Sequence, residues 1–197
     1  DYEEMQNYVD THPEYFDENE LVIAYTRLVY GNFLNILGQN HIAENQVSLA
    51  RKHFLTNKQP IGCALCDFMS MGIKLDKENT NLEALLKEFN NLKVVFREYG
   101  LLELEAECLA KVAHIFTLNN NFDEACKAYD SARGIYASLG LEENIAELDA
   151  FWAGQLFAYG DMEEAYRLSN RSKDYFESQG DNIVLAGIYN LIGLIFC

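Results

Sequence analysis

The one motif in this sequence that invites a catalytic or metal-binding interpretation is the Cys-x-x-Cys arrangement of Cys63 and Cys66. Two thiols at this spacing can bind zinc or exchange a disulfide. Structural zinc needs four ligands, however, and no second cysteine pair exists, while His53 and His114 lack ligand spacing. A redox Cys-x-x-Cys normally opens a helix beside a βαβ unit, and no such pattern surrounds this pair. We therefore expect buried thiols, with no metal ion and no cofactor.

Other groups that could perform acid–base or phosphate chemistry are equally isolated. His114 lies between Ala113 and Ile115 with no serine, cysteine or carboxylate partner nearby in the sequence. Acidic residues are numerous, but no pair of them is marked out by a loop or pocket signature. Glycine-rich phosphate loops are missing as well. The segment is therefore predicted not to be an enzyme.

The net charge of the chain limits the classes of molecule that it is expected to bind. Its 197 residues include 31 Asp and Glu against 15 Lys and Arg, which gives a net charge of −16. Such a surface repels phosphate backbones, so direct nucleic-acid binding is not expected. Two explanations remain open: a solvated acidic surface that keeps the chain soluble, or attraction to a basic partner.

The cysteines and the termini indicate a cytoplasmic protein. Five cysteines form an odd set, which fits reduced thiols better than a disulfide framework. The first ten residues, DYEEMQNYVD, lack the basic and apolar regions of a signal peptide. The longest apolar run, Leu191–Cys197, is too short to span a bilayer, and no membrane association is expected.

An internal repeat of 40 residues organises the second half of the chain. Segments 82–100, 122–140 and 162–180 align without gaps, and their apolar spacing predicts one helix each. The small Ala125 and Ala165 allow a neighbouring helix to approach closely in two of them, and a terminal glycine ends each helix. The corresponding sets are Leu82, Phe122 and Met162; Leu85, Ala125 and Ala165; Phe96, Tyr136 and Phe176; and Gly100, Gly140 and Gly180.

The segments between these helices repeat at the same spacing and predict a second set of helices. Asn119–Asn121 and Tyr159–Asp161 form short polar turns, whose Asn and Asp are predicted to cap the following helix. Trp152 and the aromatic set above are predicted to be packing residues. The corresponding positions are Ala106, Ala146 and Ala186; Val112, Trp152 and Ile192; Ala113, Ala153 and Gly193; and Phe116, Leu156 and Phe196.

The first half carries the pattern less cleanly. Residues 41–56 match the later helices through Ala43, Ala50 and Phe54, and residues 21–37 form their partner. A helix over about 61–75 is predicted to be irregular because it contains Gly62 and Gly72. The turn that follows, 76–81, is longer than the later turns.

These features resemble the tetratricopeptide repeat family, in a variety with long helices. Tyr189-x-x-Ile192-Gly193-x-x-Phe196 corresponds to the family pattern W-x-x-L-G-x-x-Y, and the pairs Ala43/Ala50 and Ala125/Ala132 fit its second helices. The unit is longer than the usual 34 residues of that family, and glycine replaces the proline near its end. The resemblance covers residues 20–197. It implies an all-α fold, a right-handed α-solenoid of antiparallel helix hairpins, in a single domain 1–197 with units 20–57, 61–100, 101–140 and 141–180 and a partial unit 181–197.

The resemblance also implies where a ligand binds. In this family the first helices of successive units line a concave face that holds peptides. The residues expected on that face are Asn32, Asn35, Lys74, His114, Phe157 and Asn190. Four acids, Glu103, Glu107, Glu143 and Glu147, lie in the first turns of two such helices, where they either complement the helix dipole or contact a basic partner. The basic clamp that chaperone-binding relatives use is not evident.

Two classes of function follow from the resemblance. The first is a peptide-binding sensor or regulatory region of a bacterial-type signalling protein, whose output domain beyond Cys197 would be a diguanylate cyclase or, second, a helix-turn-helix regulator. The alternative is a pure scaffold for multiprotein or self-assembly. Because the chain starts without Met and ends after an apolar first helix that lacks a second one, we expect a fragment of a longer protein. If that helix, 182–197, is not itself a cap, it is expected either to pack against another chain, for example in a homodimer through repeat ends, or to be rather unstable.

Overall fold

The computed structural model describes residues 20–75, 77 and 80–197, and these residues form an all-α structure. The predicted turn 76–81 lies partly outside the described residues. No helix in the described ranges combines the length and the apolar character needed to cross a membrane. The helices are α1 (Glu20–Ile36), α2 (Asn40–Thr56), α3 (Pro60–Leu75), α4 (Leu82–Glu98), α5 (Leu102–Leu118), α6 (Phe122–Leu139), α7 (Glu142–Tyr159), α8 (Met162–Gln179) and α9 (Asn182–Ile195).

The chain divides into two compact units, Asp1–Leu85 and Leu86–Cys197. In the first unit, α1 and α2 form a hairpin, and α3 packs against both of them. Ala24, Val47, Phe54 and Cys66, all fully buried, join the three helices in one cluster. A Cβ atom built on Gly31 would lie 2.9 Å from Cγ2 of Val47, so the absence of a side chain in α1 lets α2 approach closely.

The second unit repeats the hairpin. Helix α5 packs against α6, α7 against α8, and α9 against α8 and α7, while α6 also contacts α7. Consecutive helices therefore pack in the solenoid-like order that the 40-residue repeat predicts. The predicted packing residues Phe96, Tyr136, Phe176 and Trp152 are all buried.

The turns behave as the repeat predicts, with one exception. Gly140 and Gly180 take the left-handed conformation and end α6 and α8. Asp161 caps α8, because its carboxylate accepts a hydrogen bond of 3.1 Å from the amide of Glu164. The predicted cap by Asn121 is wrong: this residue precedes α6, but its exposed side chain makes no cap bond. A neutral amide gains less than a carboxylate from the positive end of a helix.

Helix α3 confirms the helix predicted at about 61–75. It runs without interruption from Pro60 to Leu75 despite containing two glycines. Gly62 is buried beneath the ring of Phe54, so this glycine makes room for a packing contact.

Candidate functional site

The four predicted acids lie on the same side of the second unit. Glu103 and Glu143 stand in the first turns of α5 and α7, and Glu107 and Glu147 follow one turn later on each helix. Glu107 is half-buried, whereas the other three are exposed. The two helices therefore present parallel pairs of carboxylates at their amino-terminal ends.

These carboxylates act on one another. Burial raises the pKa of Glu107 above its usual value of 4.5, Glu103 and Glu147 raise it further, and Lys111 opposes the shift. Burial also raises the pKa of Glu147, with Glu143 and Asp181 adding to the effect. A shift in this direction means that the ionised forms are disfavoured, so a nearby positive charge would relieve an existing repulsion.

A tyrosine lies beneath the acids. Tyr136, from α6, is almost completely buried, and burial together with Glu107 and Glu103 raises the pKa of its hydroxyl. Its hydrogen bond with Asn144 of α7 opposes the shift. The acidic patch therefore rests on a neutral hydroxyl that cannot offset its charge.

Farther along the same helices the surface becomes aromatic. The ring of His114 on α5 meets the ring of Phe151 on α7 edge-on, with centroids 5.2 Å apart. Phe151 remains 43% exposed. We call the exposed side formed by α5 and α7 the first-helix surface; its residues are Glu103, Glu107, Lys111 and His114 of α5 with Glu143, Glu147 and Phe151 of α7.

An apolar pocket adjoins this surface at the amino-terminal end of α5. It has a volume of about 450 Å³ and includes the side chain of Glu103 in its wall. Leu102 and Leu139 are 37% and 41% exposed, so the pocket opens at the surface. The remaining lining residues are Gly100, Leu101, Leu104 and Leu141. A side chain with an apolar stem and a cationic head would match a leucine-lined pocket with a carboxylate at its edge.

The other predicted ligand-binding residues are divided between the two units. Asn32 and Asn35 of α1 and Lys74 of α3 belong to the first unit, where Asn32 and Lys74 are exposed and Asn35 is half-buried. In the second unit, Phe157 is half-buried near the end of α7, and Asn190 is exposed on α9. Of the three predicted residues in the second unit, His114 lies with the acids on the first-helix surface as defined above.

A buried carboxylate that sequence analysis missed links three helices of the second unit. Asp149 of α7 is fully buried and accepts hydrogen bonds from Tyr129 of α6, from Nε of Arg133 at 3.3 Å and from Nε of Arg171 at 2.5 Å. The tyrosine carries a raised pKa because it is buried against this carboxylate. The group stabilises the packing of α6, α7 and α8, since all of its partners come from the neighbouring second helices.

A second buried acid, Glu105 of α5, is paired with Arg97 of α4 through the guanidinium, whose Nε lies 2.9 Å from the carboxylate. Glu105 stands between the two surface acids in sequence, yet it turns inward. Helix periodicity could have distinguished the buried acid from the two surface acids in the sequence. Glu103 and Glu107 are four residues apart and share a helix face, whereas Glu105 lies on another face.

The cysteines lie in packing positions. Cys66 is fully buried, and burial raises the pKa of its thiol to about 12, while Cys63 is half-buried. Among the described residues, no three His, Cys, Asp or Glu side chains are grouped so as to hold a metal ion.

Comparison with known proteins adds information on the fold. No protein-family model matches the chain, and no curated protein sequence is similar to it. Among solved structures, the chain is similar to BtubC (BKLC) from P. vanneervenii, with a TM-score of 0.56 and 12% sequence identity. The match covers 91% of this chain and 82% of BtubC. Because the identity is so low, the similarity shows a shared helical architecture and nothing about activity.

Proposed function

We propose that this chain is a non-catalytic binding module of the tetratricopeptide type, and that its first-helix surface binds a basic peptide segment of a protein partner. The observation that carries the proposal is the placement of two parallel pairs of carboxylates at the amino-terminal ends of α5 and α7, Glu103 with Glu107 and Glu143 with Glu147. Burial and the neighbouring acids raise the pKa of Glu107 and of Glu147, which agrees with this crowding. Lysine or arginine side chains placed there would replace repulsion between carboxylates with attraction.

The neighbouring groups indicate what else such a peptide contains. The leucine-lined pocket beside Glu103 fits an apolar side chain, and the exposed ring of Phe151 offers a second apolar contact. Aromatic and apolar anchors provide most of the energy in protein interfaces, whereas charges at the edge mainly set specificity. The expected ligand therefore combines basic residues with at least one Leu-like or aromatic side chain.

A selection experiment tests this proposal without a known ligand. A random peptide library would be displayed and selected on the purified chain at low ionic strength. We expect the enriched peptides to contain at least two Lys or Arg residues beside an apolar residue. Enrichment of acidic or uncharged sequences, or no enrichment at all, would contradict the proposal.

A matched pair of variants locates the binding. The first replaces the four surface acids together (E103Q, E107Q, E143Q and E147Q). The control removes four charges from exposed positions on the second helices (E88Q, E98Q, D130N and E163Q), which lowers the net negative charge by the same amount. At about 0.5 kcal/mol for each exposed ion pair, the first variant should weaken a selected peptide that pairs with all four acids by about 2 kcal/mol, or about 30-fold, and one that pairs with two of them by about 1 kcal/mol. An equal loss in both variants would mean that net charge alone attracts the peptide.

Regulation of a signalling output domain by this binding stays a prediction from the family resemblance.

A further inference from the structure

Two arginines of the second unit share one buried carboxylate. Nε of Arg133 on α6 lies 3.3 Å from Oδ1 of Asp149, and Nε of Arg171 on α8 lies 2.5 Å from Oδ2. The side chain of Asp149 has no exposed surface, whereas those of Arg133 and Arg171 are 33% and 36% exposed. The carboxylate therefore holds both guanidinium groups from the inside and leaves part of each arginine at the surface.

The terminal nitrogens of both guanidinium groups remain accessible to a ligand. Within residues 20–75, 77 and 80–197, no side chain or carbonyl group accepts a hydrogen bond from an Nη atom of Arg133 or Arg171. None of these nitrogens is enclosed away from solvent. The two Nη atoms of a guanidinium group form a planar pair of donors, which matches the two oxygens of a carboxylate.

Three other arginines of the chain each have an acid of their own. In each of these pairs, two nitrogens of the guanidinium group donate to one carboxylate. Arg133 and Arg171 instead divide the carboxylate of Asp149, so this pair carries one positive charge that no hydrogen-bonded anion balances among the described residues. The three closed pairs are Arg51 with Asp67, Arg97 with Glu105, and Arg167 with Glu164.

The internal repeat shows how this site differs from a closed pair. Arg133 stands 16 residues before Asp149. Arg51 stands at the same distance before Asp67, and its Nε and Nη2 bind both oxygens of that acid, at 2.6 and 3.1 Å. At Asp149 the second oxygen is occupied by Arg171, which adds a second guanidinium group. The positions equivalent to Arg171 in α6 and α4 hold neutral residues, Ser131 and Asn91.

A carboxylate fits both the charge and the donor geometry of this site. Two guanidinium groups and one carboxylate leave one net positive charge, which a single monoanionic group would balance. A polyanion is disfavoured, because the whole chain carries a net charge of −16. The hydrogen bonds to Asp149 already restrict both arginine side chains, so binding a ligand would cost little additional side-chain entropy.

We propose that Arg133 and Arg171 form a binding site for one carboxylate, which an Asp or Glu side chain of a partner protein supplies. Hydrogen bonds from the Nη atoms would hold this carboxylate between α6 and α8. The donors lie at the surface, where a side chain that projects from another protein can reach them. Asp149 and Phe151 are two residues apart on α7 and do not share a helix face. The site is therefore separate from the first-helix surface and does not depend on the peptide binding proposed above.

Arginine side-chain signals in NMR spectra of the isotope-labelled whole chain would test the proposal. The probe is a capped tripeptide, acetyl-Ala-Glu-Ala-amide, and the control is the same peptide with Gln in place of Glu. At constant ionic strength, we expect the Glu peptide to shift the Nε–Hε signals of Arg133 and Arg171 saturably, and the Gln peptide to leave them unchanged. The absence of a saturable shift, or equal shifts with both peptides, would overturn the proposal.

Charge-conserving variants locate the binding. R171K keeps the positive charge but removes the paired Nη donors, so it should weaken the Glu peptide about tenfold, as followed through the signal of Arg133. R133K should do the same, as followed through the signal of Arg171. R51K is the matched control, because Arg51 occupies the position equivalent to Arg133 in α2 and is closed by Asp67. It should leave binding unchanged, and an equal loss in all three variants would contradict the proposal. Thermal melts monitored by circular dichroism would establish that the variants fold.

Two small anions complete the experiment. Sodium acetate should shift the same arginine signals, but it should bind more weakly than the Glu peptide because it offers the carboxylate alone. Tighter binding of sodium phosphate than of the Glu peptide would overturn the assignment to a carboxylate. Tighter binding of acetate than of the Glu peptide would overturn the assignment to a protein side chain.

Discussion

Gly62 offers a sharp test of the packing in the first unit. A Cβ atom built there would lie 2.2 Å from Cδ1 and 2.4 Å from Cγ of Phe54, whose ring is fully buried. Ordinary contact begins near 3.4 Å, so G62A requires the ring or the helix to move by about 1.2 Å, the difference between the two distances. Overpacking of a buried site costs about 1–3 kcal/mol.

The opposing term is helix propensity. Alanine is favoured over glycine by about 1 kcal/mol inside a helix. Taking about 3 kcal/mol for so short a contact, we expect G62A to lower the free energy of unfolding by about 2 kcal/mol, or the Tm by about 4–8 °C. G72A is the matched control in the same helix, because its Cβ would meet nothing within 4 Å, and it should stabilise the chain by up to about 1 kcal/mol.

Urea denaturation monitored by circular dichroism would measure both variants against the parent. Opposite signs for the two alanine substitutions are the expected result. If G62A stabilised the chain as much as G72A, then the ring of Phe54 would not pack over Gly62, and the described contact between α2 and α3 would be wrong.

Three further predictions concern buried charge, turns and pH. D149A removes the acceptor of three hydrogen bonds and leaves Tyr129, Arg133 and Arg171 without this partner. In urea denaturation it should therefore lower the free energy of unfolding by about 3 kcal/mol. A decrease of less than about 1 kcal/mol would contradict the hydrogen-bond network around Asp149. Lys58 and Asn120 both have a positive φ, which glycine adopts without strain. K58G should therefore raise the Tm, and N120G should raise it less, because Asn tolerates this conformation better than Lys does. A larger increase in Tm for N120G than for K58G would contradict this explanation. Because the pKa of Glu107 is raised above 4.5 in the folded chain, ionisation of this side chain disfavours the folded state above that pH. E107Q should therefore stabilise the chain at about pH 7 but not at about pH 3.5. Urea denaturation at both pH values checks this, and equal effects of E107Q at the two values would argue against the raised pKa.

The helical architecture could be predicted because the same signals recur at one spacing. Leu85, Ala125 and Ala165 align at intervals of 40, and all three are buried in the structure. Burial of a periodic apolar stripe is a property of one helix, so a single sequence contains most of the information about it. For the same reason, helix bounds in the first half, such as 41–56, differ from the structure by only one residue.

The roles of individual residues that could not be predicted depend on which neighbouring helix packs against them. Asp149 looks like any surface acid in sequence, but its position between α6 and α8 makes it a buried acceptor. Gly62 shows in the sequence only as an irregularity of a predicted helix, and its packing role follows from the ring of Phe54 that lies against it. Phe151 was missed because its role follows from the position of His114 on a neighbouring helix. These properties arise from tertiary contacts, which helix periodicity does not encode.

The central claim is that a basic peptide binds along α5 and α7. Backbone chemical shifts in NMR spectra would test it most directly, by titrating a library-selected peptide into the isotope-labelled chain. We predict that the largest shift changes fall within residues 103–114 and 143–151. Changes concentrated instead in α6 and α8, with the first-helix surface unaffected, would contradict the account.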